Sequence, residues 1–216
     1  MDISEIWPPY ALTLTSGEME LSPVTDSDIP ELSSIARGGV RRDDLQAFQY
    51  NWDTGDDEQI ARSLAQYHWS TRAEFTPDKW TVEFTVRVGG RAVGIQGVNT
   101  NRYQLTRTVS TGSWLALDEQ GHGFGTRMRG TVIDAFIRHF DAERFETGFF
   151  EGNDASRRVS EKLGYSPNGS RRIIAGDGVA RTEHKMVLQA EDFQAPAEEV
   201  SVAGAEVFRR FIGLDQ

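Results

Sequence analysis

Residues 119–128, EQGHGFGTRM, place three glycines, Gly121, Gly123 and Gly125, within five positions directly ahead of a helical pattern. Glycine has no Cβ, so backbone amides there can turn toward a bulky anion and the anion can approach them closely. The helix that follows adds unpaired N–H groups and the positive end of its dipole. The chemistry offered is the cradling of a phosphate or pyrophosphate. A Walker loop ends in Gly-Lys-Ser/Thr, but Gly125 is followed by Thr126 and Arg127; a dinucleotide G-x-G-x-x-G counted from Gly121 needs glycine where Thr126 stands. The pattern that fits is Q-x-x-G-x-G on Gln120, Gly123 and Gly125. Glycine-rich strand-to-helix turns also occur with no ligand, so these six residues by themselves leave both readings open.

The composition narrows the ligand. The chain carries 23 Lys/Arg against 33 Asp/Glu, a formal charge of −10, which argues against non-specific nucleic-acid binding. Residues 120–172 alone reverse the balance, with nine basic against seven acidic side chains, so the glycine turn opens the one stretch suited to an anion. With no cysteine there is no disulfide, thiolate metal site or cysteine nucleophile, and histidines 68, 122, 139 and 184 lack ligand spacing, so no metal is expected. No apolar run is long enough to span a membrane, and the opening MDISEIWPPYALTL lacks the marks of a signal peptide, so a cytoplasmic location without membrane partners is expected.

The elements that must position the turn can be read from periodicity. After an irregular opening, 19–24 reads as a short strand and 26–37 as a helix stopped by Gly38 and Gly39. An acidic, irregular stretch follows, then a helical pattern over 57–75 with Ile60, Leu64, Tyr67 and Phe75 near helical spacing. Residues 80–88 and 92–99 alternate as a hairpin, and 106–117 supplies the next strand. The helix after the glycines runs to about Phe140 on a stripe of Phe124, Met128, Val132, Phe136 and Phe140, which is core. A strand at 144–150, a helix over 153–165 capped by Asn153, and strands near 170–175 and 181–189 complete an α/β fold with a mixed sheet. Beyond residue 190 a polar stretch leads to Val207, Phe208, Phe211 and Ile212 on one helical stripe, an extension expected to dock on the body or on a second copy in a homodimer.

Two blocks, GSWLALDEQGHGFGTRMRGTVIDAF and FFEGNDASRRVSEKLGYSPNG, lie in order and at the right spacing to resemble the GNAT superfamily of acetyl-CoA-dependent N-acetyltransferases, and within it the ribosomal-protein (RimJ/RimL-like) branch. The resemblance implies a GNAT domain over residues 1–189, with 190–216 an appended C-terminal extension. It also implies a mostly antiparallel sheet flanked by helices and splayed between the fourth and fifth predicted strands, 106–117 and 144–150. It assigns the pyrophosphate of acetyl-CoA, the acyl-donor substrate, to the amides of Gln120, Gly121, His122, Gly123, Phe124, Gly125 and Thr126. Backbone groups of Leu115, Ala116 and Leu117 would pair with the pantetheine arm, Asn153 would reach the arm or a water near it, and Ser156 would sit near the thioester sulfur. Cradle plus strand edge suits a polyanion with an amide-bearing tail. The His122 side chain is expected to point to solvent. Arg127, Arg129, Arg157 and Arg158 are the cations available to the CoA 3′-phosphate, with a solvated helix face as the plain reading of each.

The chemistry is where the sequence departs from the pattern. Transfer to an amine of pKa ~10.4 needs a base to strip a proton. Relatives often place a glutamate two residues before the glycine of the G-x-W-L strand; that glycine is Gly112, and the position holds Ser110. Glu83, Glu151 and Glu183 are candidate substitutes on neighbouring elements. A tyrosine common in the second helix is also replaced, by Ser160, which leaves Ser156 as the candidate acid or thiol contact, or simply a cap. Asp43, Asp44, Asp53, Asp56, Asp57 and Glu58, among Tyr50, Trp52, Tyr67 and Trp69, suggest a wall for a cationic amine. Three readings follow: direct acetyl transfer to a primary amine in a ternary complex, a CoA-binding sensor or scaffold without catalysis, and a transferase for a larger acyl-CoA.

Overall fold

The computed structural model describes residues 1–42 and 45–215, so the expectation for Asp43 and Asp44 lies outside the described residues. The chain opens with a helical turn α1 (Ile3–Ile6), closed by an Asp2/Glu5 capping box, and a 3-10 turn over Pro8–Ala11. β1 (Thr13–Ser16) and β2 (Met19–Pro23) form a hairpin, and α2 (Ile29–Arg37) and α3 (Asp57–Ala73) follow. Then come β3 (Lys79–Val88), β4 (Arg91–Asn101), a single turn α4 (Tyr103–Thr106) and β5 (Thr108–Leu115). α5 (Phe124–Phe140), β6 (Arg144–Phe150), α6 (Asp154–Lys162), β7 (Ser166–Ile174) and β8 (Ala180–Gln189) match the second half of the sequence pattern. β9 (Val200–Ala203) and α7 (Ala205–Phe211) close the chain.

All nine strands form one sheet in the order β7-β8-β6-β5-β4-β3-β2-β1-β9. Every pair is antiparallel except β5 with β6, which the α5 crossover makes parallel. That pair is registered only at Thr108 with Arg144, Val109 with Phe145 and Ser110 with Glu146. Past Ser110 the two strands part, and the second half of β5 has a neighbour on its β4 side alone.

Each face of the sheet carries its own core. On one face Trp80, Val82, Phe84, Val109 and Phe145 pack against α5, whose Met128, Val132, Phe136 and Phe140 are at most 1% exposed. On the other, Ile95 packs with Leu32 and Ala36 of α2 and Ile60 and Leu64 of α3, and Trp114 leans on the same cluster. Strand alternation therefore turns Glu83, Gly97, Ser110 and Gly112 toward α2 and α3, and Thr111, Ser113 and Leu115 toward α5.

Two readings from the sequence need correction, and for the tail the structure shows the first of the two alternatives, docking on the body. The opening is not irregular: β1 is four residues long, too short to show alternation, and gains its place by pairing with β2 and with β9, which lies nearly the whole chain away. Tyr67 is 48% exposed, and α3 instead buries Ile60, Leu64 and His68, stepping four residues at a time. Phe75 lies beyond the end of α3 and stacks on Trp80. In the tail, Phe208 and Ile212 are fully buried in the α5-side core, with Phe208 edge-on to Trp80 and Phe140, so the apolar stripe faces inward within its own chain. Phe208→Ala is expected to lower the free energy of unfolding by about 3–5 kcal/mol in urea titrations. Leu105→Ala, at a side chain 79% exposed, should change it by less than about 0.5 kcal/mol.

Candidate active site

The glycine turn begins where β5 ends. A 3-10 turn over Leu117–Glu119 leads to Gln120, and Gly121 and Gly123 then adopt φ of 89° and 87°, a left-handed backbone that other residues rarely tolerate. Gly123 is the N-cap of α5, and a Cβ built there meets no heavy atom within 4 Å. The Gln120 amide turns back to Leu117 and the Thr126 amide to Gly123, so both are used inside the chain. The amides of Gly121, His122, Gly123, Phe124 and Gly125 have no acceptor among the described residues. Five successive unpartnered N–H groups at a helix mouth are an arrangement suited to an anion.

The Gln120 side chain acts as a strut. It donates to the carbonyls of Val40 (2.9 Å) and Leu115 (3.2 Å) and accepts from Arg42 Nε (3.2 Å). Arg42 thereby brings a cation to the rim of the cradle that sequence reading missed, because it comes from the irregular stretch 78 residues earlier. The His122 side chain is exposed at the tip. Of the four arginines considered for the 3′-phosphate, Arg127 binds Glu198 and the Ser16 carbonyl, and Arg157 binds Asp154 and Glu161. Arg158 is exposed, whereas Arg129 is only 3% exposed, which corrects its reading as a solvated helix residue.

Beside the cradle lies the gap between β5 and β6. The Ala116 amide donates across to Val93 and the Leu117 amide to Gly39, so neither faces a ligand. By alternation the Leu115 amide points the opposite way, into the gap. On the far wall, Asn153 caps α6 by accepting from the Ser156 amide at 3.2 Å. The half-buried Ser156 hydroxyl makes no hydrogen bond within the described chain. Ser160, where the resemblance implies a tyrosine, is fully buried and accepts from Arg129.

On the α2/α3 face, one row crosses the sheet from Glu83 through Gly97 to Gly112. The Glu83 carboxylate lies over Gly97, within 2.6 Å of where a Cβ would stand, and above Gly112 there is nothing within 4 Å. The two glycines thus leave a short trough that runs one strand spacing, about 5 Å, from the carboxylate over Gly97 to the open position above Gly112. Burial pushes the Glu83 carboxyl up to about 7, while the Tyr67 hydroxyl, donating at 2.6 Å, works to lower it. Behind Glu83 a cavity of about 20 Å³, also lined by Tyr10, His68 and Arg72, has room for about one water. His68 is held down to about 4 by burial and is neutral there. Ser110 sits half-buried on the same face, paired with Asn99 and Glu146.

The other candidate bases are less suited. Burial acts to raise the Glu183 carboxyl, but Arg171 and Lys185 outweigh it and hold the group below its ordinary value. Glu151 is exposed in the turn after β6. The acidic wall is largely engaged: Asp53 pairs with Arg41 at 2.6 Å, Asp56 caps α3, Asp57 meets Arg37 and Glu58 meets Arg62. Trp52 packs between Phe48 and Trp114, its ring tilted to both, tying its loop to β5, while Trp69 donates to Asp26 and Tyr50 is 71% exposed. The same loop meets Gly152 through Leu45 and Gly176 through Asn51, so it roofs the gap.

A strand, a run of unpartnered backbone amides at a helix mouth, a crossover helix and a parted parallel partner make up this part of the fold. Residues 18–166 match the family described as Acetyltransferase (GNAT) domain, and the chain belongs to that family of acetyltransferases. In fold it is similar to Mycobacterium smegmatis RimJ in complex with CoA-disulfide (TM-score 0.72, 21% identity, 93% of each chain covered). It is also similar to RimL, the ribosomal L7/L12 alpha-N-protein acetyltransferase, in complex with coenzyme A (0.64, 14%, 81% of this chain and 95% of that one). The ribosomal-protein-S5-alanine acetyltransferase of Vibrio fischeri is similar as well (0.59, 15%, 84% and 98%). Among the described residues no helix is long and apolar enough to cross a membrane.

Gly123→Val should abolish the thermal shift produced by CoA while costing the apo fold only about 1–2 kcal/mol for the left-handed backbone. A variant that binds CoA as well as the parent protein would overturn the cradle assignment.

Proposed function

We propose that the protein transfers the acetyl group of acetyl-CoA to a primary amine, on a small molecule, peptide or protein, by direct attack in a ternary complex with Glu83 as general base. The observation that carries this reading is the Glu83 carboxylate over Gly97, opening onto the empty space above Gly112 beside the parted strands. In this reading the Gly121 to Gly125 amides hold the pyrophosphate, with Arg42 at the rim. The Leu115 amide meets the pantetheine arm, with Asn153 and Ser156 on the opposite wall. The thioester lies at the head of the trough, and the amine enters along it under the roof of the 45–56 loop.

An alkyl ammonium of pKa ~10.4 loses its proton to an ordinary glutamate at a cost of about 8 kcal/mol, and to one near 7 at about 4–5 kcal/mol. Burying Glu83 therefore removes about 3 kcal/mol from deprotonation. The freed lone pair attacks the thioester carbonyl, the C–N bond forms and the C–S bond breaks. No cysteine exists to carry the acetyl group between the two, which fits a direct mechanism. A cationic amine is the natural acceptor, since the group it meets is a carboxylate.

The direct test is CoA release from acetyl-CoA, followed with a thiol-reactive dye against peptides, polyamines and aminoglycosides, in a protein with no thiol of its own. Amine-dependent release supports transfer; a thermal shift with acetyl-CoA but no release from any amine favours the sensor reading or a longer acyl chain. Because Glu83 must be ionised to accept a proton, kcat/KM should rise with pH through about 7. Glu83→Gln should remove that limb and lower kcat about 100-fold or more, with KM for acetyl-CoA little changed. Tyr67→Phe removes a hydrogen bond that favours the ionised form, so the limb should move to higher pH.

A further inference from the structure

Arg129 is a guanidinium enclosed in protein, 3% exposed, with no carboxylate beside it among the described residues. It reaches from α5 to the Ser160 hydroxyl on α6 at 2.9 Å and to the Ser113 hydroxyl on β5 at 3.3 Å, and its Nε has no partner. Burying a cation without an anion costs several kcal/mol, and two neutral hydroxyls do not offset that. The placement indicates what does. Ser113 lies in the stretch of β5 that has already parted from β6, and Ser160 lies on the helix that follows β6, so the guanidinium spans the two walls of the gap. Tyr165 is the titratable group facing it, a phenol that burial pushes up and keeps neutral. Thr111, beside Tyr165, adds a neutral hydroxyl. Every neighbour among the described residues is therefore uncharged, and the positive charge stands between the two walls of the gap with no anion of the chain's own beside it.

We propose that Arg129 is a catalytic residue that stabilises the thiolate of CoA as it leaves. This rests on the transferase reading above. As the amine nitrogen forms its bond to the carbonyl carbon, the C–S bond breaks and its electron pair moves onto sulfur. The proton the ammonium gives up before attack and the one nitrogen sheds as the amide forms each pass through Glu83 to water in turn. The guanidinium keeps its own protons and donates hydrogen bonds to the sulfur anion, which departs as thiolate or takes a proton from solvent. This charge stabilisation supplies what a protonated acid would otherwise have to provide at that position.

The test uses CoA itself as the probe. The chain has no cysteine, so the ultraviolet absorption of thiolate in the protein–CoA complex reports the bound thiol alone. A free thiol titrates near 8.5, and an opposite charge within hydrogen-bonding range lowers a pKa by about 1–3 units, so bound CoA should show about eightfold or more thiolate at pH 7 than free CoA. In Arg129→Gln that excess should vanish, CoA affinity should fall less than tenfold, and acetyl transfer should slow at saturating acetyl-CoA. Arg129→Lys should retain part of the excess. If Arg129→Gln does not fold, Ser160→Ala, which frees the guanidinium from one of its two anchors, should reduce the excess. Bound CoA that titrates like free CoA, or a shift that survives in Arg129→Gln, overturns the role of Arg129 and leaves the transferase reading standing. Failure of the parent protein to bind CoA overturns both.

Discussion

The structure depends on a limit to hydrogen bonding: β5 and β6 pair at three positions and then stop. A parallel pair in the middle of a nine-stranded sheet would ordinarily be its most protected part, and here half of it is left open. Elements on each side brace the opening. On one face α5 and α6 pack at the small residues Gly125 and Gly130, and on the other the 45–56 loop bridges from Trp114 to the turns at Gly152 and Gly176. The unpaired edge of β5, the amide cradle and the trough above Gly112 all surround this gap.

Electrostatics follow the same geometry. The chain is strongly acidic, yet much of its loop charge is cancelled locally by arginines or used to cap helices. Two charges stand on opposite faces of the sheet, Glu83 on the α3 side and Arg129 on the α5 side. A thioester between them would have a base on the side where an amine arrives and a cation on the side where sulfur leaves. The sheet prevents the two from pairing with each other, which keeps both available.

Much of this was legible in the sequence because it is local. The glycine spacing, the α5 stripe and the 153–165 helix each declare themselves within a dozen residues, and strand alternation in WTVEFTVRV puts Glu83 opposite the core. The elements that went unread are those set by partners far along the chain. β1 and β9 are too short to signal alone and exist through each other, and Arg42 reaches the cradle through Gln120. The trough needed the register of β3, β4 and β5, since Gly97 and Gly112 look like unrelated strand glycines until they fall side by side. Arg129 reads as one of several helix cations, and only its burial separates it from Arg127.

The pairing of β1 with β9 has a consequence for how the chain reaches this state. Thr15 and Ser201 are hydrogen-bonded at a sequence separation of 186, and Trp7, Phe75 and Phe211 form one aromatic cluster from three distant parts of the chain. Contacts of such separation confine a long loop before they return any energy, which slows folding and delays closure of the sheet edge. Until β9 and α7 settle, the outer face of β1 and the pocket for Phe208 stand open to water. With β9 and α7 undocked, that edge is of the kind through which chains most readily stick to one another.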